Sequence, residues 1–283
     1  MNKTLVGFLG LVLVLPAPLA AETILRPHDP AAAARPRAAA TDPERAVVLR
    51  PRIDQPQDLL VVPFYELDTL TPFGDTTLFA VRNVAVNGIG IRVEYFDTGV
   101  NVQREDLLSL DPRETLTVNV QDVAGLGVGP DGYARGWIRI TVTSSLVPDN
   151  LTGDFFSLDV DGDFASGERL LAETDLCQFY EIRFLDFGSP AELYLLINDP
   201  QGADPESDPP SVTVRPITEN GGLLAPTDVF TDQVLVKLPA TAFTGVDFGT
   251  LTFDFGPLGG YVFARYSAHG KFSVGLNGAC IET

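Results

Sequence analysis

Histidine and cysteine each occur only twice in the 283-residue sequence, and tryptophan and methionine once each. So few imidazoles and thiolates cannot furnish the usual zinc, haem or iron–sulfur ligand sets. Basic side chains are also scarce, 19 against 38 acidic ones, for a formal charge of −19. A balance this negative excludes broad contact with nucleic-acid phosphates. No P-loop, no G-x-S-x-G elbow and no G-x-G-x-x-G at a strand–helix junction occurs, which argues against nucleotide binding and α/β-hydrolase chemistry. Beyond the first 21 residues no apolar run approaches the ~18 residues that a membrane-spanning helix needs. What the chain does have is 45 % apolar residues against 20 % charged ones, enough to build a core.

Residues 1–21, MNKTLVGFLGLVLVLPAPLAA, set one positive charge at Lys3 before an apolar run from Leu5 to Leu15, and small residues follow at Ala17, Ala20 and Ala21. This is the layout of a secretory signal peptide. No cysteine follows the run, which excludes a bacterial lipid anchor. The expected product is secreted or periplasmic, with no membrane span after cleavage, and losing Lys3 takes its charge to about −20. Residues 22–57 mix alanine with six prolines and show no sustained period. Proline removes a donor and biases its predecessor away from helix, so this stretch reads as a disordered linker. His28, inside it, reads as a solvated residue.

From Leu59 onward, short runs alternate apolar and polar residues between turn residues. Examples are Leu116-Val118-Val120, Ile138-Ile140-Val142 and Leu251-Phe253-Phe255. Period-two alternation puts each apolar set on one face of a strand, so the fold class is all-β. A repeat is also visible. Leu110 and Gly132 stand 22 residues apart, as do Leu238 and Gly260. Gly132-Tyr133-Ala134 matches Gly260-Tyr261-Val262, and Phe156-Ser157-Leu158 matches Phe272-Ser273-Val274. The expected organisation is two tandem β-sandwich modules, 58–172 and 173–283. The second holds an insertion from Asp199 to about Asp228, read as a proline-rich protruding loop over its acidic part.

The run TTLFAVRNVAVNGIGIRVEYFD, then LLSLDPRETLTVNV, then GYARGWIRITV, resembles immunoglobulin-like β-sandwich modules of secreted bacterial proteins. In that group a strand ending in V-x-N, here Val81-Arg82-Asn83, leads through a turn into the next strand. The resemblance covers most of residues 59–160 and, more weakly, 179–280. It implies a fold and no particular activity, because members serve as adhesive, spacer, carbohydrate-contacting or enzyme-accessory domains.

Four features are site candidates. Cys177 and Cys280 form an even pair in an exported chain and read as a disulfide. Closing their 103-residue span would stabilise the fold by about 4–5 kcal/mol on the chain-entropy account. Asp159, Asp161, Asp163 and Glu168 could converge hard oxygens on Ca²⁺, although Phe164 and Leu170 stand where an EF-hand needs glycine and an acid. The competing reading is a solvated acidic turn. Trp137 has the opposite parity to Ile138 and Ile140, which assigns it to the outer face, for packing against a neighbouring module or for stacking on a sugar ring. Asp199–Pro210 is a second acidic segment. Ser267-Ala-His269 offers no arrangement for nucleophilic attack, and no carboxylate pair stands out, so no catalytic residue and no cofactor other than Ca²⁺ is assigned. The expected function is non-enzymatic: a structural or protein-binding role at the cell envelope or outside the cell. The alternative is a carbohydrate- or calcium-dependent adhesion module, and a secreted hydrolase ranks third.

Overall fold

The structure, a computed structural model, describes residues 24–27, 56–71, 73–160, 164–172, 178–186, 191–197, 211–218, 221–230, 234–239, 248–255, 260–268, 272–277 and 279–280. Among these the chain is all-β, in four antiparallel sheets with a single 3-10 turn at Val120–Asp122. No described helix is long and apolar enough to cross a membrane.

The first strand, β1 (Ile24–Pro27), belongs to the far part of the molecule and is taken up below. Two sheets then follow from β2 (Leu59–Asp68), β3 (Thr76–Asn83), β4 (Ile89–Phe96), β5 (Val102–Leu110), β6 (Thr115–Asn119), β7 (Tyr133–Ser144), β8 (Leu151–Asp159), β9 (Phe164–Arg169) and β10 (Leu171–Ala172). One sheet has the order β10-β2-β7-β4-β5 and the other β6-β3-β8-β9. Their shared core joins Leu60, Val62 and Tyr65 of β2, Ile138 and Ile140 of β7 and Ile91 and Val93 of β4 to Phe79, Val81 and Phe155 of the facing sheet. The alternation read from the sequence is visible in β7, where Ala134, Ile138 and Ile140 are buried while Arg135, Trp137 and Arg139 between them are half-buried. Burying each aliphatic side chain of this core contributes roughly 1.5–3 kcal/mol.

Strand β2 departs from that pattern, being buried from Leu60 to Leu67. Leu60 and Val62 enter the first core, whereas Val61 enters a second core and Phe64 a small cluster beside it. Its unbroken apolar run, LLVVPF, is that of a strand covered on both faces. Pro63, which has no N–H to give a ladder, sits where the register with β7 slips between Val62 and Tyr65.

The remaining strands are β11 (Phe179–Asp186), β12 (Ala191–Ile197), β13 (Ser211–Thr218), β14 (Thr227–Phe230), β15 (Leu235–Pro239), β16 (Phe248–Asp254), β17 (Gly260–Ala268), β18 (Phe272–Asn277) and β19 (Ala279–Cys280). They form a six-stranded sheet, β1-β14-β13-β16-β11-β19, and a four-stranded sheet, β15-β12-β17-β18. Val212, Val214, Leu251 and Phe253 of the first pack with Leu195, Val236, Leu238 and Val262 of the second.

The two sheet pairs can be set side by side by strand order. The segments β5-β4-β7 and β15-β12-β17 share one order, and β6-β3-β8 parallels β16-β11-β19. The pairing of Phe156-Ser157-Leu158 with Phe272-Ser273-Val274 does not survive, because β8 lies beside β3 whereas β18 forms a hairpin with β17 in the other sheet. The segment read as an insertion carries β13 and the start of β14, two ladder strands between β1 and β16 in the six-stranded sheet. Within the stretch read as a disordered linker, Ile24–Pro27 pairs with β14.

Candidate functional site

The outer face of β7 presents Tyr133, Arg135, Trp137, Arg139 and Thr141 in succession, since alternate residues of a strand share a face. Neighbouring strands set acids and aromatics against them. Arg139 donates to Glu94 of β4 from Nε at 2.9 Å and from a terminal nitrogen at 3.2 Å, a two-pronged contact with a buried carboxylate. The Arg139 guanidinium also lies 5.1 Å from the centre of the Phe96 ring. Arg135 bridges Glu66 of β2 and Asp131. Burial alone would lower the Arg135 guanidinium, but its hydrogen bonds to Asp131 and Glu66 outweigh this and hold it above its ordinary value. The same Arg135 contact holds the Asp131 carboxyl below the usual carboxylate range.

Between the two arginines the Trp137 ring stacks on Phe96, with centroids 4.0 Å apart and planes 6° from parallel. Its Nε1 donates to the Gly99 carbonyl at 2.9 Å. The ring also packs against Phe64, Tyr194 and Leu235. Phe64 and Tyr194 meet at 4.3 Å. The second core reaches into this face too, joining Val61 and Leu171 to Tyr180, Leu195 and Phe253. A backbone bond from Leu235 N to Thr98 O, 2.9 Å, ties the four-stranded sheet to the β4–β5 turn. The outer face near Trp137 is therefore an internal seam between the two sheet pairs. Trp137, half-buried, packs its ring on Phe96 and against the seam residues.

Where the seam ends, the same face opens into a cleft of about 430 Å³ lined by Leu59, Arg92, Glu94, Arg139, Thr141, Val142 and Thr143. It offers the Arg139 guanidinium held by Glu94, a second guanidinium at Arg92, and hydroxyls beside one aliphatic wall. Such a set can hydrogen-bond a polar ligand but holds no nucleophile paired with a base. At the end of the sandwich where β2 runs into β3, Leu70 and Phe73 are 75 % and 85 % exposed. At the opposite end, between β7 and β8, Leu146 is 86 % exposed.

The other sequence candidates fall as follows. Asp159 and Phe164 face each other across the β8–β9 hairpin, whereas Glu168 pairs with Phe155, four residues further along the ladder. At ~3.3 Å per residue, about 13 Å of strand lies between the Asp159 and Glu168 ladder positions. Asp161 and Asp163 lie outside the described residues, and among the described ones no three His, Cys, Asp or Glu side chains come together as a metal set. Cys280 stands opposite Tyr180 at the start of β11. Cys177, His28, His269 and Asp199–Pro210 lie outside the described residues. The charge pairs Arg139–Glu94 and Arg135–Glu66 were not read from the sequence, since 45 and 69 residues separate the partners. Comparison with protein families, curated proteins and solved structures found no significant match.

Proposed function

We propose that this chain is an exported, non-enzymatic protein of two tandem immunoglobulin-like β-sandwich modules, with a structural or protein-binding role at the cell envelope or outside the cell. The observation that carries the binding role is the pair Leu70 and Phe73, large apolar side chains held out on a loop while the cores beside them are closed. The loop is well built for presentation. The Asp68 carboxylate accepts from the backbone of Leu70 at 2.8 Å and of Thr71 at 3.3 Å, and the Thr69 hydroxyl donates to Gly132 O at 2.6 Å. The seam around Trp137 supports the structural role, because a shared core lets two sandwiches act as one rigid spacer.

The test places a photo-crosslinking residue at Phe73 in cells that make the full chain. The expected result is a chain lacking its first ~21 residues outside the cytoplasm, joined to one defined protein partner through position 73. A chain retained in the cytoplasm with its leader intact, or a crosslink pattern no different from one at an exposed polar control such as Arg82, would overturn the reading. The cleft favours a carbohydrate-contacting role as the second reading, since paired Arg139–Glu94 and the Thr141 and Thr143 hydroxyls suit adjacent sugar hydroxyls. Glycan-array binding that is abolished by Arg139→Ala would move the assignment there.

A further inference from the structure

The strand β1 lies far along the chain from the rest of its own sheet, whose other strands all come after residue 178. It pairs with β14 alone, in the register Ile24–Phe230, Leu25–Val229, Arg26–Asp228 and Pro27–Thr227, and it forms the outer edge of the six-stranded sheet. The next described ladder strand in the chain, β2, begins at Leu59 on the other sheet pair. Residues 28–58 lie between, with prolines at 30, 36, 43, 51 and 56. Gln57 is already anchored, exchanging backbone bonds with Leu151, so ~29 residues span the gap; extended they reach roughly 95 Å, whereas a folded chain of this length has a radius of gyration of roughly 19 Å. The connection is long enough to reach the β14 edge of a neighbouring molecule as well as its own.

We propose that the β14 edge is a strand-acceptor site and that its partner is a second copy of this chain, which donates its own Ile24–Pro27. The ladder a donated strand forms is the same whether it comes from the same chain or another, so the two arrangements differ only in effective concentration. A tether of this length sets an effective concentration of the order of 1 mM. The self-paired chain therefore dominates in dilute solution, at about 99 % for 10 µM chain, and exchange approaches half near 1 mM. Where the proposed export concentrates copies on a surface, exchange links them through their sheets. The β5 edge of the first sandwich is a poorer acceptor, because Arg104, Glu105 and Asp106 place three charges in its middle, a common way of blunting an edge. The inference does not depend on the Leu70–Phe73 reading.

The register supplies the test. Facing residues of an antiparallel pair have Cα atoms about 4.5–5.5 Å apart, within reach of a disulfide. Leu25→Cys and Val229→Cys placed in one chain should close internally under mild oxidation. Placed on separate chains of different size and mixed, they should give a crosslinked heterodimer whose 25–229 bond is located by peptide mass, in a yield that rises with concentration between 10 µM and 1 mM. A double variant that closes internally while the mixture stays monomeric at 1 mM overturns the exchange. A double variant that fails to close removes the β1–β14 docking, and the proposal with it.

Discussion

Replacing Asn83 by alanine should cost roughly 3 kcal/mol, and the reason lies in four backbone groups that one fully buried side chain satisfies. Its Nδ2 donates to Asn87 O at 2.8 Å and Asp111 O at 3.0 Å, with a longer contact to Leu110 O at 3.4 Å. Its Oδ1 accepts from Ala85 N at 2.9 Å. The β3–β4 and β5–β6 connections are thus fastened to each other through one amide at the end of the V-x-N run. A net hydrogen bond contributes about 1 kcal/mol, and a buried group left without a partner costs about 1–3 kcal/mol. Ala85 is only half-buried, so water can restore its bond, whereas Leu110 is closed off. Three strong bonds lost, partly recovered by water and partly aggravated by the cavity, give the stated figure.

Urea unfolding followed by tryptophan emission is the assay, since Trp137 is the sole tryptophan and sits in the seam where it senses both sheet pairs. With a slope of about 2–3 kcal/mol per M, the midpoint should fall by roughly 1 M or more. Asn83→Asp separates the causes. It keeps an acceptor for Ala85 but turns a carboxylate toward three carbonyl oxygens, so it should be at least as damaging as alanine. A loss below about 1 kcal/mol for Asn83→Ala, or wild-type stability for Asn83→Asp, would refute the account.

Three further outcomes follow from two glycines and the buried tyrosines. Gly136→Ala should give no soluble chain or one destabilised by more than about 4 kcal/mol, because its Cβ would lie 1.9 Å from Phe96 O. Gly125→Ala, where φ is +88° but nothing lies within 4 Å, should cost only about 1 kcal/mol; soluble yield and melting temperature check both. Tyr65 and Tyr95 are buried, and burial, with the charges of Asp97 and Asp106 respectively, holds their phenols above the ordinary value of 10.0. A raised folded-state value means their contribution to stability is complete below pH 10.0 and is lost as pH climbs above it. Absorbance at 295 nm should show at least two of the seven tyrosines un-ionised in the native chain at about pH 11 and ionised once urea is added; seven phenols titrating together near pH 10.0 would contradict the burial argument.

The parts of the fold legible in the sequence are those that local alternation encodes. Ile138 and Ile140 in β7, and Leu251 and Phe253 in β16, declare their buried face within five residues, because the strand period is two. β13 lies inside the segment read as an insertion, and it contains a proline. Pro216 stands in a strand that pairs on both sides, yet the β14 ladder reaches only from Ser211 to Val214; Pro216 pairs with Leu251 of β16 and its carbonyl accepts from Leu224 N at 3.0 Å, so its missing donor leaves no gap in the β14 ladder. Nothing within β13 itself announces that its second neighbour stops two residues short.

Trp137 marks the same boundary at the candidate site. Its parity placed it on the outer face of β7, and it is there. Parity carries no information about what covers that face, since the covering groups, Phe64, Tyr194 and Leu235, come from strands whose pairing is set by the whole fold. The Arg139–Glu94 and Arg135–Glu66 contacts were hidden for the same reason, each needing the register of two distant strands. β2 was the one local hint. A strand that faced water on one side would break its apolar run with polar residues, and LLVVPF does not. Read strictly, that run requires a second apolar partner for β2, and the sheet carrying Tyr194 and Leu235 supplies it.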